Sequence, residues 1–111
     1  TRRVRSVAFG PQGERLASTG NDGTARVWNV DTGNEVMIAK LDSGVLFGVA
    51  FGPDGDRIAI ASSDRSVTLL NAHTGQEVIT LDAGDGGVAA VTFSPDGRRL
   101  AAAVHDHSVR I

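Results

Sequence analysis

An all-β protein made of repeated four-stranded antiparallel sheets is what this sequence predicts, and three observations carry that expectation. The chain repeats itself with a period of 42 residues: Phe9, Phe51 and Phe93 stand 42 apart, as do Pro11, Pro53 and Pro95, and no insertion or deletion separates the copies. Turn signals recur about every ten residues, the spacing of antiparallel strands rather than of helices. Glycine is abundant, at 14 of 111 residues, and proline is limited to 3, as suits many short strands joined by tight turns.

Four strands fit into one period. The first copy opens on an apolar strand over residues 4–9, closed by the turn Gly10-Pro11-Gln12-Gly13. The third copy shows the chemistry of that turn more fully as Ser94-Pro95-Asp96-Gly97. Proline presets φ at the second position, aspartate bonds back to the backbone and glycine takes the positive-φ position. A second strand follows over 15–19 and runs into Asn21-Asp22-Gly23; a third covers 24–30, a fourth 35–41. The second copy repeats these at 45–51, 57–61, 66–71 and 77–81, and the third at 88–93, 98–104 and 108–111, without a fourth. The chain is therefore read as one repeat segment, 1–111, of three sheets spanning 4–41, 45–81 and 88–111.

Two details bear on packing. The tight turn that reads Asp22-Gly23 in the first copy becomes Asp64-Arg65 and Asp106-His107 later. If its backbone is left-handed throughout, Arg65 carries strain that Gly23 does not. The inner stretch Val45-Leu46-Phe47-Gly48-Val49-Ala50-Phe51 is apolar on both parities, as expected of a strand covered on both faces, so each sheet needs a neighbour on either side. By alternation Phe47 shares a face with Val49 and Phe51, which points to a core role rather than an aromatic anchor.

The run from Val4 to Asn29, with Val4-x-x-Val7-x-Phe9-x-Pro11, then Asp22-Gly23-Thr24, then Val27-Trp28-Asn29, resembles the WD40 repeat. The resemblance extends over the whole chain as about 2.6 repeats. It implies β-propeller blades of four-stranded antiparallel sheets, the first strand of each nearest a central channel, forming a non-catalytic platform on which other proteins assemble. In that family a hydrogen-bonded network often joins a His ahead of the inner strand, a Ser or Thr on the second strand, the tight-turn Asp and a third-strand Trp. Here Asp22, Asp64 and Asp106 keep the turn position, while Ser18 and Trp28 match only in the first copy and give way to Ile60 and Leu70 in the second. No His precedes the later inner strands, so the full network is not expected in these blades, and lower rigidity is expected at the later turns.

Composition narrows function by exclusion. A formal net charge of −2, from 11 Lys and Arg against 13 Asp and Glu, offers no basic stripe for a nucleic-acid backbone. No apolar run approaches the roughly 20 residues that span a bilayer, so neither nucleic acid nor membrane is an expected partner. The absence of cysteine removes disulfides, thiolate metal sites and thiol nucleophiles together. No targeting pattern is visible, and the expected location is cytoplasmic.

No Gly-x-Ser-x-Gly elbow occurs, and Gly84-Asp85-Gly86-Gly87 lacks the helix and lysine of a phosphate loop. Neither a catalytic residue nor a cofactor is assigned. His105-Asp106-His107 is the densest metal-competent group, but it occupies the turn that reads Asn21-Asp22-Gly23 in the first copy, a solvent-facing corner, and no metal is assigned to it. By resemblance the loops before the inner strands and the tight turns form the docking end. Asp42, Ser43, Arg65, Asp82, Asp85, His105 and His107 are its candidate residues, on a mixed but mostly acidic rim, with Asp22, Asp64 and Asp106 as structural turn residues.

An isolated run of 2.6 repeats leaves open sheet faces, and propellers close with about 4 to 8 blades. Either the remainder of a longer chain completes the ring, or the chain self-associates as a dimer or trimer. A rival function from another class is a ligand-binding or enzymatic site in the central channel, for which Arg5, Ser6 and Thr92 are the polar inner-strand residues. A third is a repeat fragment or engineered ring whose main activity is self-assembly.

Overall fold

The computed structural model describes residues 4–41, 44–82, 88–104 and 108–110. They form β1 (Val4–Phe9), β2 (Arg15–Gly20), β3 (Thr24–Asn29), β4 (Glu35–Lys40), β5 (Leu46–Phe51), β6 (Arg57–Ser62), β7 (Ser66–Asn71), β8 (Glu77–Asp82), β9 (Val88–Phe93), β10 (Leu100–Val104) and β11 (Ser108–Arg110). Each sheet is a meander of antiparallel neighbours: β1-β2-β3-β4, β5-β6-β7-β8 and the three-stranded β9-β10-β11. No described residue is helical.

Local side-chain chemistry sets where strands stop. Asn29 ends β3 one residue before the sequence expectation because its Oδ1 accepts from the backbone N–H of Asp31 (3.0 Å) and Thr32 (3.1 Å), while Val30 turns away to donate to Glu14 O. Asn71 does the same for His73 and Thr74. β10 begins at Leu100 rather than at residue 98, since Arg98 N–H is held by Asp96 Oδ1 and Arg99 N–H by Ser94 Oγ. These side chains mimic backbone turns and draw amides out of the ladder.

Every inner strand carries a bulge at the same place in the repeat. The register skips Arg5 between Val4 and Ser6, Phe47 between Leu46 and Gly48, and Ala89 between Val88 and Ala90. An extra residue reverses the alternation that follows. In β5, therefore, Leu46, Val49 and Phe51 face the first sheet and Gly48 and Ala50 the third. Phe47 stands outside the paired register, and Leu46 leaves the face that simple alternation gave it to join Val49 and Phe51.

The sheets pack bulky against small. Leu46, Val49, Ile58, Ile60 and Leu70 on the front of the second sheet meet Ala17, Ala25, Val27 and Met37 on the back of the first in one core. Ala59, Ala61 and Val67 on the back of the second sheet meet Val88 and Ala102 of the third in another. Leu46, Ile58, Ile60 and Leu70 are fully buried, and hydrophobic burial at about 25 cal/mol per Å² is the main force holding sheet to sheet. The front of the first sheet is open: Val4, Val7 and Phe9 are 59%, 58% and 65% exposed.

Candidate functional site

The connection that leads into β5 brings two tight turns together. Leu41 N–H donates to Gly23 O at the β2–β3 turn, and Ser63 N–H at the β6–β7 turn donates to Val45 O. Val45 N–H returns a bond to Ser63 Oγ at 3.1 Å. Gly44, at φ 78°, lies so close that a Cβ there would stand 2.7 Å from Ser63 Oγ. One contiguous end of the molecule results, holding Asp22, Asp64 and Arg65.

Both described turn aspartates cap their own turns. Asp22 Oδ1 accepts from Thr24 N–H at 3.1 Å and Thr24 Oγ1 at 2.6 Å. The Thr24 hydroxyl, then the Thr24 amide, hold the Asp22 carboxyl below its ordinary range. Asp64 Oδ1 accepts from Ser66 N–H and from the hydroxyls of Ser62 and Ser66. This Ser62–Asp64–Ser66 knot stands at a turn where lower rigidity was expected, and the text Ser62-Ser63-Asp64-Arg65-Ser66 could have disclosed it. In the first sheet Trp28 Nε1 donates to Ser18 Oγ at 3.0 Å, so two members of the resemblance's network do meet.

Arg65 is left-handed at φ 73° and exposed. Two cations that the sequence did not assign to this end, Lys40 and Arg5, join it there. Lys40 Nζ donates to Asp22 O at 2.7 Å. Arg5, carried on the β1 bulge, donates from Nε to Asn21 Oδ1 at 2.5 Å, with its guanidinium 5.7 Å from the Phe47 ring centroid. Arg5 and Phe47 hold the same position in successive repeats, so the contact follows from the stacking of the bulges. Among the described side chains, this end thus carries Arg5, Lys40 and Arg65 beside Asp22 and Asp64. Asp82 closes β8, with its side chain outside the description. Asp42, Ser43, Asp85, His105, Asp106 and His107 lie outside the described residues.

At the opposite end, the cleft between the first two sheets measures 150 Å³ and that between the second and third 1230 Å³. The larger one opens where the third sheet has three described strands instead of four. Its floor is apolar, from Leu69, Leu81, Phe93 and Leu100, and its rim carries Asp54, Asp56, Arg57, Arg98 and Arg99. No trio of His, Asp or Glu side chains able to hold a metal converges among the described residues, and no described helix is long and apolar enough to cross a membrane.

Comparison with known proteins agrees with this architecture. Residues 1–29 match the family model described as WD domain, G-beta repeat, and residues 49–111, more than half of the chain, match the Anaphase-promoting complex subunit 4 WD40 domain. Among curated proteins, the chain is similar to the ribosome biogenesis protein erb1 of Neurospora crassa, 56% identical over 41 residues, and to its counterpart in Chaetomium thermophilum, 55% over 40. The Yarrowia lipolytica protein of that name is 44% identical over 43 residues. These matches take in 36–39% of the chain and 5% of each relative's length. Stacked four-stranded sheets, a 42-residue period and a family match over most of its length establish that the chain belongs to the WD40-repeat family.

Proposed function

We propose that the protein is a non-catalytic protein–protein interaction scaffold whose ring of blades is completed by further blades, from a second copy or from a longer chain. One observation carries the reading. Val4, Val7 and Phe9 are 58–65% exposed on the front of the first sheet, whereas of their repeat equivalents Leu46 and Val88 are 0% and Val49 7% exposed, and Val91, Phe51 and Phe93 are half-buried. An apolar face that two of three repeats cover and the third leaves open is an interaction surface. The WD40 family match supports protein assembly as the activity. The ribosome biogenesis relatives match over about one repeat's length, which carries the blade across and not the process for which they are named.

Light scattering of the chain and of Phe9→Asp over a range of concentrations tests this. Association of the wild type above its 11.5 kDa monomer mass, weakened by Phe9→Asp, supports the reading. A wild type that stays at the monomer mass throughout, indistinguishable from the variant, overturns completion by a second copy.

For other protein partners we assign the turn end, with Arg65 beside Arg5 and Lys40, and with Asp42, Ser43, Asp82, Asp85, His105 and His107 placed there by the repeat. Proteins captured by the wild type and lost with Arg65→Glu, at unchanged assembly mass, would use that end. Unchanged recovery counts against it.

A further inference from the structure

We propose that Met37, the chain's one methionine, is a peroxide-sensitive latch on the outer seam between the first two sheets, and that its conversion to the sulfoxide releases the β7–β8 turn from β4. The latch works inside one chain, whatever covers the front of the first sheet.

The thioether sits where there is no slack. β4 is an edge strand of its sheet, and Val36 and Ile38, on either side of Met37, are 44% and 50% exposed, whereas Met37 is 6% exposed. Its side chain enters the core shared with the second sheet and ends against the β7–β8 turn. A Cβ on Gly75 would stand 3.0 Å from Met37 Sδ and 3.3 Å from Met37 Cγ, so the gap between sulfur and turn does not take one more heavy atom. The turn itself is pinned. Gly75 N–H donates to Asn71 O at 2.9 Å, His73 and Thr74 N–H donate to Asn71 Oδ1 at 2.8 Å and 3.1 Å, and Gln76 N–H donates to Thr74 Oγ1 at 3.2 Å.

Those four bonds decide what an oxygen on the sulfur would meet. With hydrogen peroxide as oxidant, an Sδ lone pair attacks one peroxide oxygen. The S–O bond forms as the O–O bond breaks, the proton passes to the leaving oxygen, and water departs; sulfur gives up two electrons and the peroxide takes them. The apolar thioether becomes a polar sulfoxide whose oxygen needs a donor. All four amides of residues 73–76 are already engaged, and the core around Met37, with Ala25, Val27, Leu70 and Ala72, is apolar. A seated sulfoxide would therefore be a buried acceptor without a partner, which is costly. Lifting the turn lets water supply the donor.

The fold does not require sulfur here, since Ile79 holds the same place in the second repeat. Peroxide reaches Sδ when the seam opens locally, as edge strands and turns do well below global unfolding. The sulfoxide then holds the seam in the state that admitted the oxidant, and methionine sulfoxide reductase restores the thioether.

Hydrogen exchange over residues 72–76, read by mass spectrometry before peroxide, after it, and after reductase, tests the latch. One added oxygen on Met37 should raise exchange there by at least about tenfold, and reduction should return it. Met37→Leu, which conserves volume, and Met37→Ile should keep slow exchange through the same treatment. Without peroxide, Gly75→Ala should speed exchange at its turn more than Gly33→Ala does at the corresponding turn. Both glycines are left-handed, at φ 77° and 73°, but nothing lies within 4 Å of the Cβ position of Gly33, which thus measures backbone strain alone.

Unchanged exchange in a chain oxidised at Met37 overturns the proposal. So does an unoxidised Met37 under conditions that fully convert free methionine in the same solution, or an equal rise in the leucine and isoleucine variants. Fast exchange that persists after complete reduction shows damage and not a latch, and equal effects of the two glycine substitutions remove the tight contact on which it rests.

Discussion

Arg65→Gly should make the protein more stable, although it removes a side chain from a turn proposed to meet partners. Arg65 sits at φ 73°, where its repeat equivalent Gly23 sits at φ 77°. A residue with a Cβ in that region costs roughly 1–2 kcal/mol. Glycine relieves it but returns about 0.4–1 kcal/mol by loosening the unfolded chain. The net gain is about 0.5–1 kcal/mol, a rise in Tm of a few degrees for a domain of this size.

The assay is thermal or urea unfolding at one fixed protein concentration, because an associating chain melts in a concentration-dependent way. Arg65→Ala is the control: it keeps the Cβ and the strain, and should move stability by no more than about 0.5 kcal/mol. Gly23→Ala goes the other way, since its new Cβ would be strained and only 3.0 Å from Leu41 O. Equal stability of Arg65→Gly and Arg65→Ala would refute the strain account.

Other expected outcomes follow from buried and charged groups. Thr19 is 2% exposed and its Oγ1 has no hydrogen-bond partner among the described residues; an unmet buried hydroxyl costs about 1–3 kcal/mol. Thr19→Val, of the same shape, should therefore raise the urea midpoint, and a fall would show that the hydroxyl is satisfied. Ser18→Ala and Trp28→Phe, taken singly and together in a double-mutant cycle, should show coupling of about 1 kcal/mol through the indole hydrogen bond; strict additivity would argue that the bond adds nothing. In acid, the Asp22 carboxyl, lowered first by the Thr24 hydroxyl from an ordinary 3.8, contributes stability that is present above its unfolded pKa and lost as pH falls through the lower folded value. Urea midpoints measured between pH 5 and pH 2 should accordingly fall less steeply in Asp22→Asn than in the wild type, and parallel curves would show that Asp22 is not linked to folding.

The fold was legible because its signals are local and repeated. Pro11, Pro53 and Pro95 mark one turn of each period, Asn29 and Asn71 the outer turn, and alternation between them marks the strands. The bulges were not legible. Arg5, Phe47 and Ala89 are chemically unlike one another, so nothing in residue type shows that all three stand outside the ladder, and alternation read back through Phe47 puts Leu46 on the wrong face. The candidate end was legible only in part, for a similar reason. Asp22, Asp64 and Arg65 announce themselves by turn chemistry, whereas Arg5 and Lys40 arrive through the three-dimensional stacking of bulge and strand end. Ser62 and Ser66 flank Asp64 in plain view, but a family pattern that seeks a Trp and a His at this turn passes over two serines.

The differing solutions in the first two blades follow from one requirement, that a sheet front meant for burial leave no donor unpaired. In the second blade Ile60 and Leu70 are fully buried and carry no polar atom to satisfy. In the first blade the corresponding residues are Ser18 and Trp28, and an indole N–H enclosed without an acceptor is costly. Trp28 gives its indole proton to Ser18 Oγ within the same sheet, so the indole donor does not have to be met by whatever covers it. The surface then offered outward by Val4, Val7 and Phe9 is apolar, and burying it incurs no unpaired-donor penalty from the tryptophan beneath. The Ser18–Trp28 bond therefore removes one obstacle to covering the open side that we propose as an interface.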